Sequence, residues 1–203
     1  MAEILTTVFF MFAVIDPIGT IPVYLEATKE FDIIHKKKIA IRASIMAFLI
    51  LLFFIVIGQI ILDGMEVSLD AFQISGGVIL FLFALTMIFG EGKPEQEKNR
   101  ITDYKHVTIF PIAIPSLASP GAIMAVVLMT NNQIYSIQEQ AITSFIVLIV
   151  IGITCLILLT ANYLQKLIGS YGITVLSKIM GLILASYAVQ SILSGISNYF
   201  INV

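Results

Sequence analysis

Two dipeptides, Asp16-Pro17 and Ser119-Pro120, place a short polar side chain and a proline inside apolar stretches of the chain. Proline lacks a backbone N–H and clashes with the preceding turn, so it breaks or kinks a helix. Asp or Ser before proline is also typical of a helix start, because the side chain caps free N–H groups and proline suits the first helical position. We therefore predict that each dipeptide ends one short helix and begins another. A pair of plain structural kinks is the alternative.

Asp16 is the one charged or imidazole side chain that lies deep inside an apolar stretch. A carboxylate at such depth costs several kcal/mol unless it has a partner, so its default interpretation is functional. Burial favours the protonated carboxyl, whereas capping of N–H groups favours the anion. A proton carrier, a fixed anion that attracts an ammonium group and a structural cap all stay open. The nearby Gly19 and Gly121 permit close backbone approach.

The composition indicates the medium in which these motifs lie. Of 203 residues, 59% are hydrophobic and only 12% are charged, which is about half the charge of a typical soluble domain. The mean hydropathy is +1.02. The chain lacks the polar residues that would cover a soluble surface, and its net charge of −2 offers no basic face to nucleic acid. We predict an all-α membrane protein whose partners are the lipid bilayer and a small molecule, with no nucleic acid; homo-oligomerisation stays open.

Six stretches supply the about 20 apolar residues that are needed to cross roughly 30 Å of hydrocarbon. They are residues 4–25, 39–62, 69–89, 107–129, 141–164 and 176–200. Asp16 and Ser119 each lie 12 residues beyond the start of their stretch, which is roughly 18 Å of helix. The two predicted breaks therefore approach the midplane of the membrane from opposite faces.

All eleven Lys and Arg residues lie in or beside loops one, three and five, whereas the charged residues of loops two and four are all acidic. The positive-inside rule assigns the basic loops to the cytoplasm. We predict a multi-pass membrane protein with both termini external and loops one, three and five cytoplasmic.

The two halves of the chain resemble each other. Asp16-Pro17 aligns with Ser119-Pro120, and Gly76-Gly77 aligns with Met180-Gly181 at almost the same offset. Each half has three spans, so the halves are predicted to be inverted copies, as is common in secondary transporters. Repeat one covers about 1–90, a cytoplasmic linker about 91–106, and repeat two about 107–203, all within one transmembrane domain. Positions that support the site are then the small or matching residues Gly76, Gly77, Thr86, Gly181 and Gln190.

The sequence gives little support to a catalytic function. One deep Asp cannot form an aspartyl dyad, and no His accompanies a deep Ser. The chain has no HExxH motif and no Walker A motif. Cys155 is the one cysteine and has no CxxC partner. We predict no catalytic residue, no metal site and no cofactor.

At these motifs the chain resembles the MarC family (UPF0056, also called the neutral amino acid transporter family) of six-span bacterial inner-membrane proteins. The resemblance covers essentially the whole chain and rests on residues 16–22, 115–123, 76–81 and 180–185, with Val189-Gln190. It implies two inverted three-span repeats with broken first and fourth helices. It also implies a substrate-binding role for Asp16, Pro17, Gly19, Pro22, Ser119, Pro120 and Gly121.

Some members of that family resemble transporters of glycine, alanine and other small neutral amino acids. The resemblance thus implies secondary transport of such substrates by alternating access around the two breaks. Coupling to H⁺ or Na⁺, and the direction of transport, stay open. The alternatives are a transporter or flippase of another small metabolite or lipid-linked group, and a membrane scaffold that transports nothing.

Overall fold

The computed structural model describes residues 2–89, 104–132 and 134–201, and these ranges contain helices but no strand. Most of the predicted linker lies outside the described residues. The helices are α1 (Ala2–Ile15), α2 (Thr20–Ala27), α3 (Ile33–Gly64), α4 (Leu69–Phe89), α5 (Tyr104–Val107), an irregular π-type segment (Thr108–Leu117), α6 (Pro120–Met129), α7 (Ile137–Leu159) and α8 (Ala161–Ile201). The predicted all-helical class is confirmed.

Five spans are long and apolar enough to cross a membrane: 4–27, which combines α1 and α2, then 33–64, 70–89, 137–159 and 171–200. A bent pair, the segment 104–117 and α6, passes the same test when it is taken together, with an angle of 55° at the break. The described part of the chain therefore holds five spans, or six if the bent pair is one span.

The segment before the second break is more irregular than the sequence analysis predicted. Phe110 and Ile114 have extended backbone angles (φ −121°, ψ 124° and φ −127°, ψ 128°) within it. Each precedes a proline, Pro111 or Pro115, whose ring disfavours the helical conformation of the residue before it. At its end, the Ala118 N–H donates to the Ala113 carbonyl at 2.9 Å, one residue further back than in an α-helix.

The last long helix is interrupted at Gly169, whose φ of 73° and ψ of 163° are not helical. A short helix therefore precedes the final span. The predicted fifth span, 141–164, is also corrected: α7 ends at Leu159, where the Thr160 N–H bonds back to the Leu156 carbonyl, and α8 begins at Ala161.

Helices α4 and α8 form a closely packed pair. A β-carbon on Gly77 would lie 2.9 Å from the Ala188 carbonyl oxygen, and one on Gly181 would lie 3.1 Å from the Ala84 carbonyl oxygen. Such contacts require backbones that approach closely, which small residues permit in membrane helices. These glycines join the third and last spans, whereas Gly76 faces Met124 of α6.

The two broken helix pairs, α1 with α2 and the π-type segment with α6, pack against each other with their halves in opposite order. Helix α1 packs against α6, and α2 packs against the π-type segment. The half before the first break thus contacts the half after the second, and the remaining halves contact each other. This pattern indicates that the two broken helix pairs run in opposite directions past each other.

Candidate functional site

The first break is built around Asp16. Its backbone has a positive φ of 50°, and its Oδ1 accepts a hydrogen bond from the Gly19 N–H at 2.9 Å. Its carbonyl accepts bonds from the Thr20 N–H at 3.1 Å and from the Thr20 hydroxyl at 2.9 Å. Asp16 therefore caps the turn that starts at Pro17 and leads into α2. The predicted break is confirmed, but α2 begins only at Thr20, with Gly19 at its N-cap and no side-chain cap, so the predicted helix start at Pro17 is corrected by three residues.

The second break repeats this arrangement around Ser119. Its Oγ accepts from the Ala122 N–H at 3.0 Å, and its carbonyl accepts from the Ile123 N–H at 2.9 Å. Pro120 occupies the first turn of α6. At both breaks, the capping residue accepts hydrogen bonds from the N–H groups three and four residues ahead. The second predicted helix start, at Pro120, is confirmed.

The glycines at the two breaks differ in how strictly they are required. A β-carbon on Gly19 would lie 2.0 Å from Oδ2 of Asp16, 2.7 Å from its Cγ and 2.9 Å from Oδ1. No side chain fits there while Asp16 caps the turn. A β-carbon on Gly121 would meet the end of the flexible Leu80 side chain at 2.9 Å, which can shift. Gly19 is therefore part of the Asp16 cap, whereas Gly121 is a looser packing contact.

Polar side chains at both breaks are almost fully buried. Asp16 is 2% exposed, Thr20 0%, Ser116 1% and Ser119 1%. Thr20 and Ser116 were not among the predicted site residues, although both lie within the motifs that carry the family resemblance. The sequence signal that could have found them is their position three or four residues from the capping residue of their break.

The prolines differ from the polar residues in exposure. Pro17 is buried with Asp16, but Pro22 and Pro120 are exposed. The structure therefore brings Asp16, Pro17, Gly19, Ser119 and Gly121 into the two buried breaks, and leaves Pro22 and Pro120 at their edge.

Each break also leaves backbone groups outside the helical bonding pattern. The Gly121 N–H lies in the first turn of α6 and the Ile18 N–H in the turn before α2, so neither has a carbonyl four residues earlier in its own half-helix. Pro17 has no N–H to give to the Ala13 carbonyl, four residues earlier. Because the start of a helix carries a partial positive charge, the breaks combine electropositive N–H groups with electronegative carbonyls.

The supporting positions divide into two groups. Gly76 lies against α6, while Gly77 and Gly181 join α4 to α8. Thr86 and Gln190 are exposed, and each bonds within its own helix: the Thr86 hydroxyl donates to the Phe83 carbonyl at 2.7 Å, and the Gln190 amide lies 3.4 Å from Ser194 Oγ. These two residues are not brought to the breaks.

The described residues contain no group of three or more His, Cys, Asp or Glu that could hold a metal ion. The site instead offers backbone dipoles, three buried hydroxyl side chains (Thr20, Ser116 and Ser119) and the buried Asp16 carboxylate. Such a set can bind a small polar molecule by its charged ends.

The fold and these breaks define an integral, multi-pass helical membrane protein. Residues 1–200 match the family described as MarC family integral membrane protein. The chain therefore belongs to the MarC family.

Named relatives agree with this assignment over their whole lengths. The chain is 33% identical to a UPF0056 membrane protein of Buchnera aphidicola (from Acyrthosiphon pisum), covering 100% of both chains. It is 34% identical to one of Methanocaldococcus jannaschii, covering 92% of each. It is also 34% identical to one of Pyrococcus horikoshii, covering 94% of this chain and 92% of the relative. No solved structure matches the chain significantly.

Proposed function

We propose that this protein is a secondary transporter of small neutral amino acids such as glycine or alanine, which works by alternating access around the two helix breaks. The observation that carries the proposal is the pair of buried breaks, in which Asp16 caps a turn and Ser119 caps α6, with the helices around the two breaks packed in opposite order. Broken spans at corresponding positions are typical of the substrate sites of secondary transporters.

The helix packing supports two inverted repeats. In such a repeat, α1 corresponds to the π-type segment, α2 to α6, α3 to α7 and α4 to α8. When each helix is exchanged for its counterpart, most of the helix contacts are reproduced. The contacts of α3 with the second broken span correspond to those of α7 with the first, and the pairs α3–α7 and α4–α8 map onto themselves. Inverted repeats can exchange conformations, which would open the breaks to each side of the membrane in turn.

The chemistry of the breaks suits a zwitterion. The carboxylate of an amino acid would accept from N–H groups near the positive starts of the half-helices, such as those of Ile18 and Gly121. Its ammonium group would bind Asp16 or a carbonyl such as that of Ala13, which receives no bond from Pro17. The negative end of the ligand would then meet N–H groups, and its positive end would meet a carboxylate or carbonyl oxygen.

The tight packing at the breaks favours a small substrate. Asp16, Thr20 and Ser119 are each at most 2% exposed, so a ligand could enter only after the helices move apart. Gly19 and Gly121 place no side chain beside the caps. We infer that the site takes amino acids with short side chains, and that the protein lies in the inner membrane with both termini periplasmic.

Counterflow in liposomes tests the proposal. Reconstituted protein that is loaded with unlabelled glycine or alanine should accumulate the labelled compound. Asp16→Asn should abolish or strongly reduce this uptake, because Asn keeps an oxygen for the Gly19 N–H but loses the charge. Glu30→Gln is the matched control, since it removes one carboxylate from an exposed loop.

Two outcomes would contradict the proposal. If no small neutral amino acid exchanges through folded wild-type protein, the substrate class is wrong. If Asp16→Asn transports as well as the wild type, the role of Asp16 in binding is wrong, and its carboxylate only caps the turn.

A further inference from the structure

A second feature of the fold lies at the surface, far from the breaks. Arg42 is exposed on α3. Its guanidinium carbon lies 5.5 Å from the centre of the Tyr104 ring, and its Nη1 donates to the Tyr104 hydroxyl at 3.3 Å. The ring of His35 lies 5.5 Å from the same tyrosine. Tyr104 thus holds the arginine in one place by two different contacts.

No carboxylate neutralises Arg42 in the part of the chain that the structure describes. The ion pairs found there join Lys29 to Glu26 and His35 to Asp32. A tyrosine face attracts a cation but does not cancel its charge. A guanidinium carries five N–H donors in a rigid fork, of which the tyrosine hydroxyl takes one. The remaining donors are available to an external anion.

Arg42 also marks one end of an apolar surface. Exposed side chains follow it along one face of α3 at intervals of three and four residues: Ile45, Leu49, Phe53, Val56 and Ile60. We call this set the α3 stripe. Leu62 lies 20 residues beyond Arg42, which is roughly 30 Å of helix and equals the thickness of a hydrocarbon core. The α3 stripe therefore faces lipid chains, and Arg42 lies at the level of the headgroups.

A second basic residue, Lys38, is exposed one helical turn before Arg42. Residues four apart lie on the same face of a helix, so Lys38 and Arg42 present two positive charges directly above the α3 stripe. A ligand that matches this surface must carry a compact negative charge joined to long apolar chains. A soluble anion matches only the charged end.

We propose that Lys38, Arg42 and the α3 stripe bind one anionic phospholipid, with its phosphate on the Arg42 guanidinium and an acyl chain along the stripe. Clusters of basic side chains at the headgroup level attract anionic lipids. Tyr104 acts as the positioning residue because it orients the guanidinium. It also links the lipid to the fourth span, since Tyr104 begins the helix that leads towards the second break.

Native mass spectrometry of the purified full-length chain tests this proposal independently of transport. The protein is released from mixed micelles that contain either phosphatidylglycerol or phosphatidylcholine with identical acyl chains, and the bound lipids are counted. We expect one phosphatidylglycerol to be retained preferentially. Arg42→Gln should weaken that retention about fivefold, the typical effect of one basic residue at a membrane surface. Lys178→Gln, which removes an exposed charge on α8, is the matched control and should change little.

Tyr104→Phe separates positioning from charge. It keeps the ring beneath the guanidinium but removes the hydroxyl, so retention should fall between those of the wild type and Arg42→Gln. Glycerol phosphate, which has the headgroup charge without acyl chains, should not compete for the site.

Three results would overturn the proposal. The first is equal retention of the two lipids by the wild type. The second is equal loss in Arg42→Gln and Lys178→Gln, which would show a diffuse charge effect. The third is full competition by glycerol phosphate, which would show an anion site without a lipid.

Discussion

Replacement of Gly19 by alanine is the sharpest test of the first break. The new methyl group would lie 2.0 Å from Oδ2 and 2.7 Å from Cγ of Asp16, and real atoms do not approach so closely. The backbone on both sides is packed, so the carboxylate must rotate away. Rotation breaks the 2.9 Å bond between Oδ1 and the Gly19 N–H.

The expected cost follows from the lost bond. A hydrogen bond to a charged group contributes about 1.5–3 kcal/mol, and replacing glycine by alanine in a helix returns about 0.5–1 kcal/mol. The free energy of unfolding should therefore fall by about 1–2 kcal/mol. A buried carboxylate that has lost its hydrogen bond would increase this loss. For a chain of this size each kcal/mol lowers Tm by about 2–4 °C.

The assay is thermal unfolding in detergent followed by circular dichroism, because the chain has no tryptophan. Gly19→Ala should lower Tm by about 2–8 °C. Gly152→Ala in α7 is the matched control: a β-carbon there meets nothing within 4 Å, so Tm should stay the same or rise slightly.

A double-mutant cycle isolates the cause. Asp16→Gly removes the carboxylate, and glycine accepts the positive φ of 50° without strain. In that background Gly19→Ala should cost nothing, so the two changes should show a coupling of about 1 kcal/mol or more. If Gly19→Ala is as harmless as Gly152→Ala, or costs the same with and without the Asp16 carboxylate, the contact between the two residues does not explain the glycine.

Three further predictions concern other parts of the chain. Gly77→Ala should lower Tm more than Gly76→Ala. A methyl group on residue 77 would meet a backbone carbonyl of α8 at 2.9 Å, whereas one on residue 76 would meet the flexible end of a methionine. Equal losses of Tm would contradict this explanation. Gly169→Ala should cost about 1–3 kcal/mol in the same unfolding assay despite open space around it, because its φ of 73° and ψ of 163° suit glycine alone. Hydrogen bonds from the backbone and side chain of His35 lower the pKa of Asp32, so the Asp32 carboxyl resonance should titrate below the usual aspartate range in an NMR experiment. The stabilising effect of this cap on α3 is present above the ordinary aspartate pKa and is lost as the pH falls through the lowered value; a midpoint at or above the ordinary value would refute it.

The breaks could be predicted from the sequence because their causes are local. Proline removes an N–H, and a polar side chain just before it reaches N–H groups three residues ahead. The bonds from Gly19 to Asp16 and from Ala122 to Ser119 are contacts of this kind. The all-helical membrane class is likewise a direct consequence of composition.

The other interruptions of the helices could not be predicted from the sequence, although it contains the prolines and the glycine at which they occur. Pro111 and Pro115 interrupt the segment before the second break, and Gly169 divides the last helix. A proline or glycine in an apolar stretch permits an interruption but does not require one, because neighbouring helices can satisfy the freed backbone groups.

The sequence by itself determined that this chain belongs in a membrane and that two of its apolar stretches break, at Asp16-Pro17 and at Ser119-Pro120. Only the tertiary structure decided which side chains face the breaks. Thr86 and Gln190 match in the repeat yet point outwards, whereas Thr20 and Ser116 are buried beside the caps. The physical reason is that almost every face of a membrane helix is apolar, so hydrophobic periodicity does not distinguish the lipid-facing side from the protein-facing side. That distinction arises only when the helices pack, as the closeness of Gly77 to the α8 backbone demonstrates.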